Sequence, residues 1–386
     1  MNMKSKLFMH MVLIMMVQAG GINALEPLDI LGNISDRSDM SGLDMSGMNM
    51  TGMHMNQSNL KATDLKSSNL YGAFLISSWL NGANLSGANL IKVDLSSAFL
   101  NGVDLSESDL SESILISAKL SKARLNNARL VGADLTEADL SDADLSDADL
   151  TDARLFRADL SGATMRNMYL FGANLMGAHL NWADLSGAFL SRSQLSRAEL
   201  YSANLSGVDM TNADFTRSYL MRANLTGADL GSASMAYADL TEANLMDAIL
   251  SRTSLQYADL TRADLSNADC SDANMDSIRL VGAKMRNTKL DRVILHQIDL
   301  QGLDLSGASL KKTVLNIVYL KNANLSYADL KGASLNQVDL TGADLTNANL
   351  MDISYDQFTL NSLAFAKLDG AVLSDKLLAD LQGKSS

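Results

Sequence analysis

Residues 138–150 read ADLSDADLSDADL, a five-residue unit repeated almost without change. From Leu60 to Leu350 every fifth residue is Leu, with Met, Phe or Cys replacing it at only seven positions. A small residue, most often Ala, lies two positions before each Leu, Asp or Asn lies between them, and Ser or Thr usually follows. The repeat is therefore Ala-Asp/Asn-Leu-Ser/Thr-Gly, kept in one register through most of the chain.

A step of five residues fits neither a long helix nor a long strand. On an α-helix it scatters the leucines around the circumference, and on a continuous strand it places successive leucines on opposite faces. A three-residue extended piece followed by a two-residue turn satisfies the pattern, because each Ala and Leu then share one inner face. The chain is therefore predicted to coil, and the coils to stack.

This motif resembles that of the pentapeptide-repeat family. The resemblance implies an all-β fold, a right-handed quadrilateral parallel β-helix with four repeats per coil and about 16 coils. Aromatic or bulky residues recur 20 positions apart, as this coil length predicts: Trp79 and Phe99, Tyr169 and Phe189, Tyr237 and Tyr257, Ile294 and Val314. We take Trp79, Phe99, Tyr237 and Tyr257 as candidate surface contacts for a partner, although pairs so spaced also reinforce the stacking of coils.

The two ends of the chain depart from the repeat. Residues 1–24 carry Lys4 and Lys6 before an apolar run, with small residues after it, which is typical of a signal peptide cleaved after Ala19 or Ala24. We expect a linker over residues 25–37, the repeat β-helix over 38–353 and a C-terminal cap over 354–386. In the cap, Ser354 to Gln357 predicts a capping box for a helix reaching about Lys367, and Ser374 predicts the N-cap of a second short helix. The cap either closes the sheet edge or pairs two rods into a homodimer.

The formal charge of −13 and the single cysteine, Cys270, limit the function. An acidic chain is not expected to bind nucleic acid through its phosphates, and an exported chain with one cysteine forms no internal disulfide. Within one predicted coil, residues 134–152, the acidic side chains point outward on all sides and are expected to form an acidic belt. They are Asp134, Glu137, Asp139, Asp142, Asp144, Asp147, Asp149 and Asp152. Gyrase-inhibiting relatives implied by the resemblance are acidic mimics of DNA. Export and a set of surface arginines argue against that role here: Arg157, Arg192, Arg197, Arg217, Arg222, Arg252 and Arg262.

Methionines are concentrated in residues 38–57, the first coils of the predicted rod. The segment resembles the Met-rich segments of exported copper-resistance proteins, which implies Cu(I) ligation by thioethers. The candidate ligands are Met40, Met45, Met48, Met50, Met53, His54 and Met55. The alternative is core packing, because Met40, Met45, Met50 and Met55 keep the leucine register and Met48 and Met53 occupy alanine positions.

Neither His179 nor His296 has a nucleophile or carboxylate placed by its spacing to form a catalytic triad, and no phosphate-binding loop is present. The sequence thus predicts an exported, non-enzymatic rod that binds proteins, located in the periplasm, in the cell envelope or outside the cell. It has no required cofactor and no membrane span after signal removal. Copper binding is the alternative function.

Overall fold

The structure, a computed structural model, describes residues 35–383. The predicted signal peptide and most of the predicted linker lie outside the described residues. From Asp39 and Asn59 onward, the outward-facing residue that precedes an inward side chain pairs in parallel with the residue 20 positions later in nearly every repeat, Arg279 and Asp299 being an exception. A 20-residue period over residues 38–353 corresponds to about 16 coils. The β-solenoid predicted from the five-residue repeat is confirmed.

The inward positions form one continuous apolar core along the tube. The leucine-register side chains from Met40 to Leu350 are buried, and so are nearly all the Ala, Val, Ser and Thr side chains at the small positions. We name the four faces by the first buried residue of each: the Met40, Met45, Met50 and Met55 faces. The outward residue of each face lies immediately before its buried one. Within the repeats, position modulo 20 therefore assigns each side chain to a face or to the corner between two faces.

The corners explain the remaining letters of the repeat. The second corner residue has a positive φ in each turn, as at Gly162 (φ 68°) and Asp142 (φ 56°), which is why Gly is common there. The Asp or Asn before each Leu caps the turn that follows: the Asp139 carboxylate accepts hydrogen bonds from the N–H of Ser141 at 3.2 Å and from its hydroxyl at 2.7 Å. The aspartates of the repeat therefore stabilise the corner locally.

Regular strands and helices occur only near the C-terminal end of the described residues. Strands β1 (Ile294–Asp299), β2 (Val314–Tyr319), β3 (Ser334–Asn336) and β5 (Ser354–Tyr355) form one parallel sheet. Strand β4 (Asn349–Leu350) pairs with β6 (Val372–Leu373) in a second sheet. Helix α1 (Gln357–Leu363) follows β5, and helix α2 (Asp375–Gln382) follows β6. The expected short helical cap is therefore present.

Helix α1 differs in both boundaries from the sequence prediction. Its N-cap is Asp356, whose carboxylate accepts from the Thr359 N–H at 2.8 Å, because Ser354 is already paired with Ser334 in the sheet. The helix ends at Leu363 because Lys367 returns to the solenoid and pairs with Asp344. These are corrections to the predicted capping box and to the predicted end near Lys367.

Helix α2 begins as predicted, and it is held in place by a buried leucine and by a hydrogen bond from Tyr355. The Ser374 hydroxyl accepts from the Leu377 N–H at 3.3 Å, and the Leu377 side chain is fully buried. The Tyr355 hydroxyl donates to Asp380 at 2.7 Å. Burial, together with this carboxylate, raises the pKa of Tyr355 to about 12. The cap thus covers the last coil of the core.

One pair of coils is joined less completely than its neighbours. Leu255, Tyr257, Leu260 and Arg262 donate backbone N–H groups to the next coil at 2.7 to 3.0 Å. Among residues 35–383, the corresponding donors in residues 275–282 make no such bonds to residues 294–301. At this seam Ile278 and Ile298 occupy inward positions that in most other repeats hold Ala, Ser or Thr.

Candidate interaction surfaces

The predicted metal ligands lie together in the first coil. Met40, Met45, Met50 and Met55 occupy the four inward positions of that coil and are at most 4% exposed. Met48 and Met53 are half-buried and pack against the same core. His54 points outward and stacks on Phe74, with ring centroids 4.6 Å apart. The structure therefore brings the six methionines to one end of the core and separates the imidazole from them.

The predicted surface aromatics stack between adjacent coils and stay partly exposed. The rings of Trp79 and Phe99 are 6.2 Å apart and nearly parallel, and those of Tyr237 and Tyr257 are 4.8 Å apart. Trp79 and Phe99 are 37% and 38% exposed, and the two tyrosines about half exposed. Tyr169 with Phe189 and Ile294 with Val314 are paired in the same way. The predicted 20-residue stacking is confirmed at all four pairs.

Trp79 and Phe99 belong to a larger apolar patch. Phe74 and Ile114 lie on the Met55 face, Trp79 and Phe99 lie on the adjacent Met40 face, and Ile116 lies at the corner between the two faces. All five are exposed and fall within three successive coils, with Asp94 between Phe74 and Ile114 in their column. We call these five residues the apolar patch. Sequence reasoning missed Phe74, Ile114 and Ile116, although their positions modulo 20 place them beside Trp79 and Phe99.

Charged side chains on the rod pair mainly along columns, one coil apart. Arg292 donates to Asp272 through two nitrogens at 2.7 and 2.6 Å, which holds the pKa of Asp272 below its ordinary value. His179 lies 3.0 Å from Glu199 on the Met40 face, which corrects the expectation that its spacing brings no carboxylate to it, since the two residues are one coil apart. This hydrogen bond lowers the pKa of Glu199 against the opposing effect of desolvation. These pairs are exposed, so each contributes little to stability.

The acidic belt separates into two kinds of carboxylate. Asp134, Asp139, Asp144 and Asp149 are half-buried and accept hydrogen bonds from the next Ser or Thr. The other four occupy the exposed corners: Glu137, Asp142, Asp147 and Asp152. Among residues 35–383, no group of three or more His, Cys, Asp or Glu side chains is placed to hold a metal ion.

The two remaining chemically distinctive side chains have structural surroundings. Cys270 is buried in the leucine register, and burial, aided by the neighbouring Asp269 charge, raises the pKa of its thiol. The His296 ring contacts the amide of Asn316 at 2.9 Å, and Asn316 in turn accepts from Asn336 at 2.7 Å. Within the described part of the chain, no helix has the length and apolar character needed to cross a membrane.

Comparison with known proteins identifies the repeat. A family model described as "Pentapeptide repeats" matches in segments that run from residue 38 to residue 353. The solved structure of HetL from Nostoc sp. strain PCC 7120 is 29% identical and covers 68% of this chain and 97% of its own, with a TM-score of 0.33. Rfr23 from Cyanothece 51142 is 23% identical and covers 34% of this chain and 91% of its own, with a TM-score of 0.27.

A pentapeptide repeat protein from the Arabidopsis thaliana thylakoid lumen is 30% identical, covering 32% of this chain and 66% of its own, with a TM-score of 0.14. The search of curated proteins finds no match.

Proposed function

Because this chain belongs to the pentapeptide-repeat family, a family of structural and interaction proteins, we propose that it is an exported, non-enzymatic rod that binds a protein partner. The observation that carries this proposal is the apolar patch. The interior is filled with side chains, so recognition falls to the outer surface. Exposed aromatic and aliphatic side chains that adjoin one another are typical of protein-binding surfaces.

The test is to substitute Trp79 with Ser and measure both folding and partner capture. We expect Trp79→Ser to leave the circular dichroism spectrum unchanged and to weaken retention of a partner from the envelope fraction of the native organism. Tyr327→Ser is the matched control, because Tyr327 is 69% exposed and lies far from the patch. Loss of folding in Trp79→Ser, or equal loss of capture in both variants, would contradict the proposal.

Export is the second part of this proposal, supported by the charged and apolar pattern of residues 1–24. We expect mature protein from the native organism to begin after Ala19 or Ala24. N-terminal sequencing of the protein purified from the envelope and from the medium tests this expectation. Full-length protein that still begins at Met1 in the cell interior would overturn it.

The exposed apolar side chains of the cap favour a homodimer formed end to end. Phe358, Phe365 and Leu378 lie within residues 354–383 and are 51%, 72% and 45% exposed. Pairing two caps removes these side chains from water. We expect light scattering to give twice the monomer mass for the wild type and the monomer mass for Phe365→Ser. A monomeric wild type at micromolar concentration would refute cap pairing.

Copper binding is the second candidate function, and the arrangement of the first coil favours it. Four thioethers face one another around a single cross-section of the tube, with Met48 and Met53 beside them. Thioethers are soft ligands that suit Cu(I). The test is titration of purified mature protein with Cu(I) against a competing chelator. Equal affinity in the wild type and in a variant with all six methionines changed to Leu would end this candidate and leave core packing as their role.

A further inference from the structure

Six arginines gather on one side of an otherwise acidic rod. The side consists of the Met55 face and its two flanking corners over six successive coils, residues 152–257. This side carries two carboxylates, Asp152 at its first corner and Asp214, which caps its own corner by accepting from the Thr216 N–H at 2.9 Å. We call the arginines the arginine face: Arg154, Arg157, Arg192, Arg197, Arg217 and Arg252. It contrasts with the net charge of −13 for the whole chain.

These arginines differ from the rest in their partners. Most other arginines of the rod pair with a carboxylate within 4 Å, as Arg222 and Arg262 do with Glu242. Of the arginine face only Arg154 makes such a pair, at 3.7 Å to Asp134, when all of residues 35–383 are considered. The other five have no carboxylate within 4 Å in the described part of the chain, although Glu137 lies one coil from Arg157 and Asp272 one coil from Arg252. Arg192, Arg197 and Arg217 have no carboxylate one coil before or after them, so their guanidinium donors are the most available to an external anion.

The shape of the arginine face selects a narrow anionic chain. Six coils at about 4.8 Å per coil give a strip about 24 Å long, and the three-residue extended piece between its two corners makes the flat part about 10 Å wide. Acidic residues border the strip on both sides in several coils: Asp159, Glu199 and Asp239 on the Met40 face, and Asp209 and Asp229 on the Met50 face. A wide polyanion such as duplex DNA would overhang these carboxylates and be repelled, whereas a single narrow chain lies between them.

The side chains between the arginines distinguish one class of narrow anion from another. Down the middle of the strip the outward residues include Asn174, Gln194, Ser234 and Ser254, which hydrogen-bond with hydroxyl groups. One face of each nearby aromatic ring is already occupied: Tyr237 and Tyr257 stack on each other, Arg217 lies over Tyr237, and Arg192 lies over Phe171. Single-stranded nucleic acids bind where aromatic rings offer a series of free faces on which bases stack, and the central column of this strip contains no aromatic residue.

An extended acidic peptide is also disfavoured. The backbone of this face is fully used in ladders between coils, as in Leu195 to Asp214 at 2.7 Å and Met235 to Ser254 at 2.7 Å. A peptide strand would find no free sheet edge to pair with. We propose that the arginine face binds an anionic polysaccharide, whose carboxylate or sulfate groups pair with the arginines and whose hydroxyl groups contact the central column. The proposal rests on the export proposed above, which would bring the rod to such polymers.

The test compares two double variants of the full mature chain. Arg197→Gln with Arg217→Gln removes two arginines from the face, and Gln is tolerated there because Gln297 and Gln337 occupy the same corner with positive φ. Arg262→Gln with Arg292→Gln is the matched control: it removes the same charge from corners of the same conformation, but from arginines already paired with carboxylates.

Binding is measured by calorimetry with polygalacturonate, dextran sulfate, neutral dextran and single-stranded oligothymidylate. We expect polygalacturonate or dextran sulfate to bind, the first variant to lose about tenfold or more in affinity, and the control to change less than about twofold. Which polymer binds distinguishes carboxylate from sulfate recognition. The proposal would be overturned if neither anionic polymer bound, or if both variants lost affinity equally. It would also be overturned if oligothymidylate bound as tightly as the anionic polysaccharides. Because the assay uses purified protein, these outcomes are independent of whether the chain is exported.

Discussion

Two buried serines in neighbouring repeats differ in hydrogen bonding, so the same substitution to Ala is expected to change the free energy of unfolding in opposite directions. Ser108 and Ser113 both occupy positions that usually hold Ala, and both are 1% exposed. The Ser108 hydroxyl donates to the Leu105 carbonyl at 2.6 Å, whereas the Ser113 hydroxyl has no hydrogen-bond partner. Replacing each by Ala therefore removes a satisfied group in one case and an unsatisfied group in the other.

The expected magnitudes follow from these two surroundings. A buried unsatisfied hydroxyl costs about 1 to 3 kcal/mol, so Ser113→Ala is expected to raise the free energy of unfolding by about 1 kcal/mol. Ser108→Ala removes one hydrogen bond, whose net contribution to stability is about 1 kcal/mol, and is expected to lower the free energy of unfolding by that amount. The Ala side chain fits both positions, since Ala88 and Ala133 occupy them in adjacent coils. The two variants should differ by about 2 kcal/mol.

Urea unfolding followed by far-UV circular dichroism measures this difference. The urea midpoint should rise for Ser113→Ala and fall for Ser108→Ala, with unchanged slope. Repeat rods do not always unfold in one step, so the double variant is the internal check: its shift should equal the sum of the single shifts. If the urea midpoint falls equally in both single variants, the Ser113 hydroxyl donates to the Leu110 carbonyl as Ser108 does to Leu105. That result would refute the reasoning.

Three further predictions test the core, the thiol and the seam. Leu145→Asp buries a charge and should lower the free energy of unfolding by about 4 kcal/mol or more, whereas Asp144→Ser loses only turn bonds and should cost about 1 kcal/mol or less, both by urea unfolding. Cys270 should resist maleimide in the folded protein and react fully in 6 M urea, measured by mass spectrometry. Backbone amides of residues 275–282 should exchange hydrogen faster than those of residues 255–262; equal protection would contradict the open seam.

The architecture was predictable because one side-chain period determines it. Leucines at every fifth position exclude helix and continuous strand, and pairs such as Trp79 and Phe99 indicate the 20-residue coil before any coordinates are known. The local role of the aspartates was not predictable in the same way. Outward position alone indicated a solvated belt, whereas Asp139 and its equivalents accept hydrogen bonds that close each corner.

Departures from the repeat were harder to read than the repeat itself. Ser is a favourable N-cap residue, but Ser354 pairs with Ser334 in the sheet. The N-cap of helix α1 is therefore Asp356. Tertiary pairing thus outweighs a local capping signal. Ile278 and Ile298 look like conservative replacements of Ala in an apolar position. Their spacing of 20 residues places them in one column on adjacent coils, but only the structure shows that these two coils lack the usual backbone hydrogen bonds.

The candidate surfaces follow from the same 20-residue period as the core. A charged side chain lies about 4.8 Å from the side chains one coil before and after it, so a cation is neutralised when its column supplies a carboxylate there. The Arg292 column does so through Asp272, and the Arg197 column does not, because Gly177 and Arg217 are its neighbours. An arginine without such a neighbour keeps its guanidinium donors available at the surface. In a solenoid, the columns that break internal charge pairing are therefore the ones to examine for an external partner.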